Sequence, residues 1–382
     1  MSRFKRILLS ATFLSNVPFV LGMAYLLGET LVAYVLSLLL GAALGLGIRG
    51  RIALAFDDRP ISTARRWLIE KPYWVHWCAG LGSLPVAVLT APLLATDGWS
   101  LGRWGALSYG LPFVTALYAV LVRPHMLRVR EVEVEIVDLP AAFDGYRVVQ
   151  LSDLHIGALT PPERARKWMD RANGLSADLF ALTGDYVTSG TRFHEAAAHT
   201  FAALSAKDGT IAVLGNHDNF GGCEPMLGTM RRLGIVVLQN EHRIITRDGA
   251  LLAIVGVDDV YSRRADVDKA FRGVPEGTKI FGLAHDPKLF PAMASRGARV
   301  VLSGHTHWGQ VGIPFLHRFL NIARPFYRYA GGRFRTEDGA TLWVNPGMGT
   351  TGPPVRLGVA PEITVIVLRS VTASGPRATP AV

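Results

Sequence analysis

Cysteine is nearly absent: the 382 residues hold two, Cys78 and Cys223. One thiol inside an apolar run and one in a Gly-rich loop make no disulfide framework, and a reducing, cytoplasmic setting fits them. There is no internal repeat at a fixed period, which excludes solenoids and propellers. Acidic residues are scarce at the start. Residues 1–130 carry 13 Lys/Arg against 5 Asp/Glu, whereas the remainder carries 27 against 25. The net charge of +10 therefore belongs mostly to the first third, where it suits anionic lipid headgroups. A nucleic-acid domain would carry its own basic surplus, so this balance argues against a nucleic-acid partner.

Charge is missing altogether from four long runs, residues 7–27, 30–48, 73–95 and 105–122. Each is about 18–23 residues long, enough for a helix to cross the hydrocarbon core. Only Gly28 and Glu29 separate the first two, which predicts a tight helical hairpin. Three further runs follow the first and no small-residue cleavage site is evident, so it reads as a span and not as a cleaved leader. Arg3, Lys5 and Arg6 precede the first run, six basic residues from Arg49 to Lys71 separate the second and third, and Arg123, Arg128 and Arg130 follow the fourth; the opposite loops hold only Arg103. By the positive-inside rule the N-terminus, the central loop and everything after Val122 are expected in the cytoplasm, with the chain in the cell membrane. The expected organisation is a transmembrane anchor over 1–130, a soluble domain over 131–370, and a flexible tail over 371–382, rich in Ser, Thr, Pro, Gly and Ala.

The soluble part reads differently. Residues 132–136 alternate apolar and acidic side chains, as a half-exposed strand does. Short β-rich runs then each stop at a polar cluster: 147–151, 179–182, 210–214, 252–257, 280–283 and 300–302. Helical patterns over 161–175, 194–206 and 225–233 separate several of them, which predicts a layered α/β domain. Polar residues at the carboxyl ends of successive strands mark the ligand crevice of such sheets.

Five blocks occupy those ends: Asp153-Leu-His155, Gly184-Asp185, Gly215-Asn216-His217-Asp218, His285, and Gly304-His305-Thr306-His307. Asp153 and His155, one residue apart, share a face on a strand end. Asp185 follows a glycine that permits a sharp turn, and its two carboxylate oxygens suit a bridge between adjacent cations. Asn216 offers a neutral oxygen; His285, His305 and His307 offer imidazoles. A mixed O/N donor set without thiolates suits Mn²⁺, Zn²⁺ or Fe better than Ca²⁺.

In order and spacing these blocks resemble the calcineurin-like metallophosphoesterase family, whose signature runs D-x-H, G-D, G-N-H-D/E, a lone H, then G-H-x-H. The resemblance covers about residues 146–367 and is greatest to the membrane-attached branch, through the lead-in 143–155 and the stretches 347–353 and 361–364. It implies an α/β/β/α sandwich and two divalent metal ions. One would be held by Asp153, His155, Asp185 and His307, the other by Asp185, Asn216, His285 and His305. His217 is then left free of metal as a general acid, with attack by a metal-bridging hydroxide on a phosphodiester or pyrophosphate; Asp218 is placed to tune it. The family's protein Ser/Thr phosphatases read G-D-Y-V-D-R-G, whereas here Gly184–Gly190 reads G-D-Y-V-T-S-G. The acidic partner and the phosphate-gripping arginine are missing, which excludes that branch. Trp308 stands where the membrane-attached branch has glycine, so it is expected to narrow the pocket or to stack on a base or sugar.

Asn219, Trp308 and Asn345 are further candidates for substrate contact, the last in a Val-Asn-Pro-Gly loop. Asp258-Asp259 is expected to cap a strand turn, Arg192 to be solvated, and His194, His242 and His317 to lie on the surface. The segment 313–329 interleaves aromatics with arginines, either as an amphipathic stretch packed on the domain or as a membrane-facing lid. The function expected is hydrolysis of a phosphate ester, a lipid-linked one included, with membrane lipids as neighbours. The alternatives are a phosphodiesterase for soluble nucleotides held at the membrane, and a non-enzymatic sensor or transporter with a regulatory domain.

Overall fold

Long apolar helices come first and short apolar strands second, and contacts divide the chain the same way. One unit comprises residues 1–126 with 351–357, the other residues 127–350 with 358–382. The computed structural model describes residues 3–55, 58–317 and 319–372. Most of the expected tail, from residue 373 on, and Arg318 within the 313–329 segment lie outside the described residues.

The first unit holds α1 (Arg3–Ser15), α2 (Val17–Leu26), α3 (Leu31–Ala55), α4 (Thr63–Arg65), α5 (Lys71–Thr90) and α6 (Leu101–Leu117). Four helical stretches, Arg6–Leu26, Leu31–Leu54, Thr63–Ala95 and Leu101–His125, are long and apolar enough to cross a membrane. Its polarity is inverted relative to a soluble bundle. Leu31, Leu39 and Leu89 point outward while Asn16, Ser37, Ser83 and Ser108 are buried, as helices packed in lipid require. The first run is broken at Asn16, two residues before Pro18. The side chain of Asn16 bonds across the bundle: its amide nitrogen donates to the Gly41 carbonyl, 3.0 Å, and its oxygen meets His76 Nε2 at 2.9 Å. The third stretch begins about ten residues earlier than the apolar run, because Glu70, buried, is neutralised by Arg51 at 3.2 Å and Arg65 at 3.0 Å.

The second unit contains twelve strands among its described residues. In chain order they are β1 (Arg128–Val137), β2 (Arg147–Leu151), β3 (Leu179–Thr183), β4 (Thr210–Val213), β5 (Val236–Val237), β6 (Glu241–Arg247), β7 (Ala250–Val257), β8 (Lys279–Ala284), β9 (Ala298–Ser303), β10 (Gly332–Arg335), β11 (Thr341–Val344) and β12 (Glu362–Val371). The helices are α7 (Pro162–Asn173), α8 (His194–Phe201), α9 (Glu224–Arg232), α10 (Val267–Phe271) and α11 (Phe290–Ser295). One sheet runs β1-β12-β2-β3-β4-β5 and the other β10-β11-β9-β8-β7-β6. In the first, β2 through β5 are parallel and β12 is antiparallel to β2. In the second, β7, β8, β9 and β11 are parallel.

Period-2 alternation sorts the core into layers. Val148, Leu179, Ala181 and Ile211 face Ile254, Phe281, Leu283 and Leu302 between the sheets. Their neighbours Val149, Phe180, Leu182 and Ala212 point the other way, onto Trp168, Met169, Phe201 and Met226 of α7, α8 and α9. On the far side Val255, Val301 and Leu342 pack on Ala270, Phe290 and Met293 of α10 and α11. The result is helix, sheet, sheet, helix: the α/β/β/α sandwich. His194 corrects one expectation. It is buried, not on the surface, because it shares the inward stripe of α8 with Ala197, Ala198 and Phe201. His242 and His317 are half-buried.

Candidate metal centre

Every block sits just past the carboxyl end of a parallel strand, where ladder hydrogen bonding stops and backbone is free to bend. Asp153 and His155 follow β2, Asp185 follows β3, Asn216 and His217 follow β4, His285 follows β8, and His305 and His307 follow β9. The bend is unusual. Asp153, His155, Asp185, His305 and His307 all have positive φ, from 48° to 69°, a region that non-glycine residues occupy only under constraint, typically at functional sites. Glycine prepares two of these turns. A Cβ on Gly184 would sit 2.8 Å from His285 Nδ1, and one on Gly304 would collide with the Asp153 carboxylate.

Three overlapping groups of donors result: Asp153, His155 and His307; His155, Asp185 and His217; Asp185, His285 and His305. In the first, His307 Nε2 is 3.3 Å from Asp153 Oδ1 and 2.9 Å from His155 Nε2. Asp185 Oδ2 lies 3.7 Å from His155 Nε2 and 3.2 Å from His285 Nε2, so this one carboxylate reaches both ends of the cluster. His285 Nδ1 donates to the Thr183 carbonyl at 2.7 Å, which turns its Nε2 inward. Asn216 Oδ1 and His305 Nδ1 are buried with no hydrogen-bond partner among the described residues. Buried orphans of this kind call for an unseen partner, and an all-O/N donor set fits a divalent cation.

Electrostatics agree. Two buried carboxylates in one cluster cannot both ionise without nearby positive charge. Burial works against ionisation of Asp185, but the His285, His217 and His155 imidazoles outweigh it and hold its carboxyl well below the usual range. Burial, with Asp185 beside it, pushes Asp153 up to about 7. His285 resists burial through Asp185 and Asp153, which raise it to about 10. Burial and the neighbouring His285 lower His305 to about 4. Without a cation His285 carries a compensating proton, and a cation must displace it.

His217 stands at the edge, half-buried. Its N–H donates to Asp185 Oδ1 at 2.9 Å, and its Nδ1 meets the Thr188 carbonyl at 2.6 Å. Thr188 therefore orients the ring, and a backbone carbonyl leaves no residue-type signal to read. Asp218 does not tune His217 as expected. Its carboxylate faces the other way, accepting from Asp185, Tyr186 and Gly215 N–H at 2.8–2.9 Å and from Val187 N–H at 3.3 Å. Neighbours in sequence point apart here, and Asp218 ties the Gly184 and Gly215 turns together.

Two of the three candidates for substrate contact, Trp308 and Asn345, are buried in the frame of the domain. Trp308 is buried, and its indole N–H donates to the Val344 carbonyl at 2.7 Å. It joins the inter-sheet core beside Trp343, and its ring stacks on that of His317 at 5.9 Å. Asn345, fully buried, accepts from Gly347 N–H at 2.7 Å and donates to Thr364 at 2.9 Å. Asn219 donates to the Gly215 carbonyl at 3.0 Å. Asp259 accepts from Tyr261 and Ser262 N–H, a turn cap. That turn delivers a residue the spacing pattern missed: Tyr261 Oη is 3.2 Å from His305 Nε2. Its one legible sign is its place past the end of β7.

The profile of the calcineurin-like phosphoesterase family matches residues 146–309. The uncharacterized metallophosphoesterase YkuE of Bacillus subtilis (strain 168) is 30% identical over 70% of this chain and 96% of its own length. A Danio rerio transmembrane protein with metallophosphoesterase domain is 30% identical over 67% of this chain and 60% of its own, so this chain spans under two thirds of that relative. An uncharacterized metallophosphoesterase of Aquifex aeolicus (strain VF5) is 28% identical over 64% of this chain and 93% of its own length. With its donor cluster at the strand ends and its four apolar helices ahead of the sandwich, the chain belongs to the calcineurin-like metallophosphoesterase family.

Proposed function

We propose that this protein is a membrane-tethered phosphoesterase that holds two divalent cations and hydrolyses a phosphodiester or pyrophosphate bond, with the sandwich on the cytoplasmic side. The observation that carries this reading is Asp185, one buried carboxylate within reach of both ends of the donor cluster. Asp153, His155 and His307 would hold one ion with Asp185; Asn216, His285 and His305 would hold the other with it. Mn²⁺, Zn²⁺ and Fe all suit these donors. Such a pair supplies Lewis acidity toward phosphoryl oxygens and lowers the pKa of water to near neutrality. The residues of the chain do the rest. Thr188 fixes the His217 ring through Nδ1, leaving Nε2 as the nitrogen that can pass a proton to the leaving oxygen. Asp218 holds the Asp185 turn rigid. The four candidate spans favour a substrate that is itself lipid-linked.

The test is Mn²⁺-dependent hydrolysis of bis-p-nitrophenyl phosphate by the full-length protein in detergent, beside Asp185→Asn. Turnover by the wild type and loss of both metal equivalents in the variant are expected. Metal-loaded protein without turnover would favour a regulatory domain over an enzyme. Full metal occupancy in Asp185→Asn would remove the shared carboxylate.

A further inference from the structure

One stretch of the sandwich unit leaves its apolar side chains uncovered. Among the described residues of this unit, ten large apolar side chains are exposed. Val137, Phe220 and Tyr261 are scattered, while the other seven, Ile313, Phe315, Leu316, Phe319, Leu320, Ile322 and Phe326, fall within fourteen consecutive residues. Phe315 is 97% exposed and Phe326 78%. A soluble protein rarely shows water so concentrated a patch.

The segment is nevertheless a built structure. Its stem is closed by bonds from Ile313 N–H to the Leu320 carbonyl and from Ile322 N–H to the Val311 carbonyl, each 3.0 Å, and by the Gly312–Asn321 bridge. Both ends are fastened to the metal centre. It begins just after His307, and it returns through Tyr327, whose ring lies 5.6 Å from that of His305, and Ala330, whose carbonyl accepts from the Thr306 hydroxyl at 2.8 Å. Only the tip is bare.

Charge identifies what covers it. Residues 311–335 contain five arginines and no aspartate or glutamate, and Arg324 and Arg328 are exposed beside the bare rings. Aromatic and aliphatic side chains rimmed solely by cations match the interface of an anionic bilayer, which offers acyl chains beneath phosphates. The same chain carries four helices suited to crossing such a bilayer.

We propose that residues 313–326 insert into the headgroup region of an anionic bilayer and present lipid to the metal centre. This deepens the lipid-substrate reading and rests on it for what enters the site, but not for the insertion itself.

The experiment uses the full-length protein with Cys78→Ala and Cys223→Ala, in nanodiscs of phosphatidylcholine and phosphatidylglycerol. An environment-sensitive fluorophore is placed on Phe315→Cys, and on Asp248→Cys at the exposed β6–β7 turn as control. Blue-shifted emission from position 315, quenched by doxyl-labelled lipids, with a water-like signal from 248, is expected. Water-like emission at 315 would overturn the insertion. A blue shift that doxyl lipids do not quench would also overturn it, because protein would then cover the rings. A second arm takes Phe315→Ser, Phe319→Ser and Phe326→Ser together. Turnover of bis-p-nitrophenyl phosphate should stay unchanged, while a bilayer-embedded phosphodiester should be hydrolysed about tenfold more slowly or worse, since three rings leave the lipid. Lipid quenching with no hydrolysis of the embedded ester by the wild type would retain the insertion and sink only the lipid-substrate reading.

Discussion

Asp218→Asn tests how the centre is held in shape. The native carboxylate accepts four backbone N–H groups, Oδ2 from Asp185 and Gly215 and Oδ1 from Tyr186 and Val187. Asparagine keeps one oxygen. Its amide nitrogen is a donor, and whichever way it turns it faces two N–H donors. Burial and the neighbouring Asp185 push the Asp218 carboxyl up to about 7, so above that pH it is a charged acceptor. A hydrogen bond to a charged group is worth about 1.5–3 kcal/mol net, and losing the weaker pair there removes roughly 3 kcal/mol after relaxation. The weaker pair is the one on Oδ1, from Tyr186 and Val187, the two residues directly after Asp185, so the loss loosens the turn that presents the carboxylate both ends of the cluster share. About 3 kcal/mol is two decades in affinity. Chelator-competition titration of the full-length protein should show metal affinity reduced about 100-fold, with turnover partly restored by excess metal. Affinity within a few-fold of wild type, with a rate loss confined to substrates with poor leaving groups, would refute the bracing role and return Asp218 to the side of His217.

Three other outcomes follow from the same geometry. His217→Ala should keep its metal and lose about 10²–10⁴-fold in rate, most for poor leaving groups; an equal loss with p-nitrophenolate as leaving group would contradict proton donation. Metal uptake should release protons, because His285 is raised to about 10 and Asp153 to about 7 without a cation. Affinity should therefore climb as pH rises toward 10, more steeply below 7, and calorimetry in two buffers of different ionisation enthalpy measures the count; pH-independent binding would exclude those protons. Arg247→Met should destabilise the sandwich by about 2–3 kcal/mol, since Arg247 bonds Asp178 at 3.0 Å and Asp208 at 2.9 Å. Burial opposes it, but Arg147 N–H, Arg247 and Lys207 hold the Asp178 carboxyl below its usual range. Its contribution is present above the unfolded value and lost as pH falls through the folded one, so the deficit in thermal midpoint should shrink in acid; a deficit constant with pH would point instead to packing on the Tyr146 ring, whose centre lies 4.6 Å from the Arg247 guanidinium.

What could be read from the chain was whatever side-chain type announces. The apolar runs and the strand β2 over 147–151 come from periodicity, and the donors come from His, Asp and Asn placed at strand ends. What escaped is carried by backbone or by direction. The Thr188 carbonyl that orients His217 belongs to a residue of no special chemistry. Asp218 was visible as a carboxylate, but the side it faces is set by a 3-10 turn over His217–Asn219. Trp308 looked like a pocket residue because it follows the G-H-T-H block, yet its positive φ of 50° swings the indole into the core. Glu70 broke the apolar count at the start of the third helical stretch, and only its pairing with Arg51 and Arg65 shows why the helix runs through it.

The left-handed backbone at five of the donors also bears on transplantation. Each such residue costs about 1–3 kcal/mol, several in sum, and the turns survive because glycines and the Asp218 carboxylate hold them. Copying the same seven side chains onto ordinary strand ends of another protein would leave their φ negative and their donors aimed apart. The portable object is the set of bent loops with their braces, and the motif letters are its visible part.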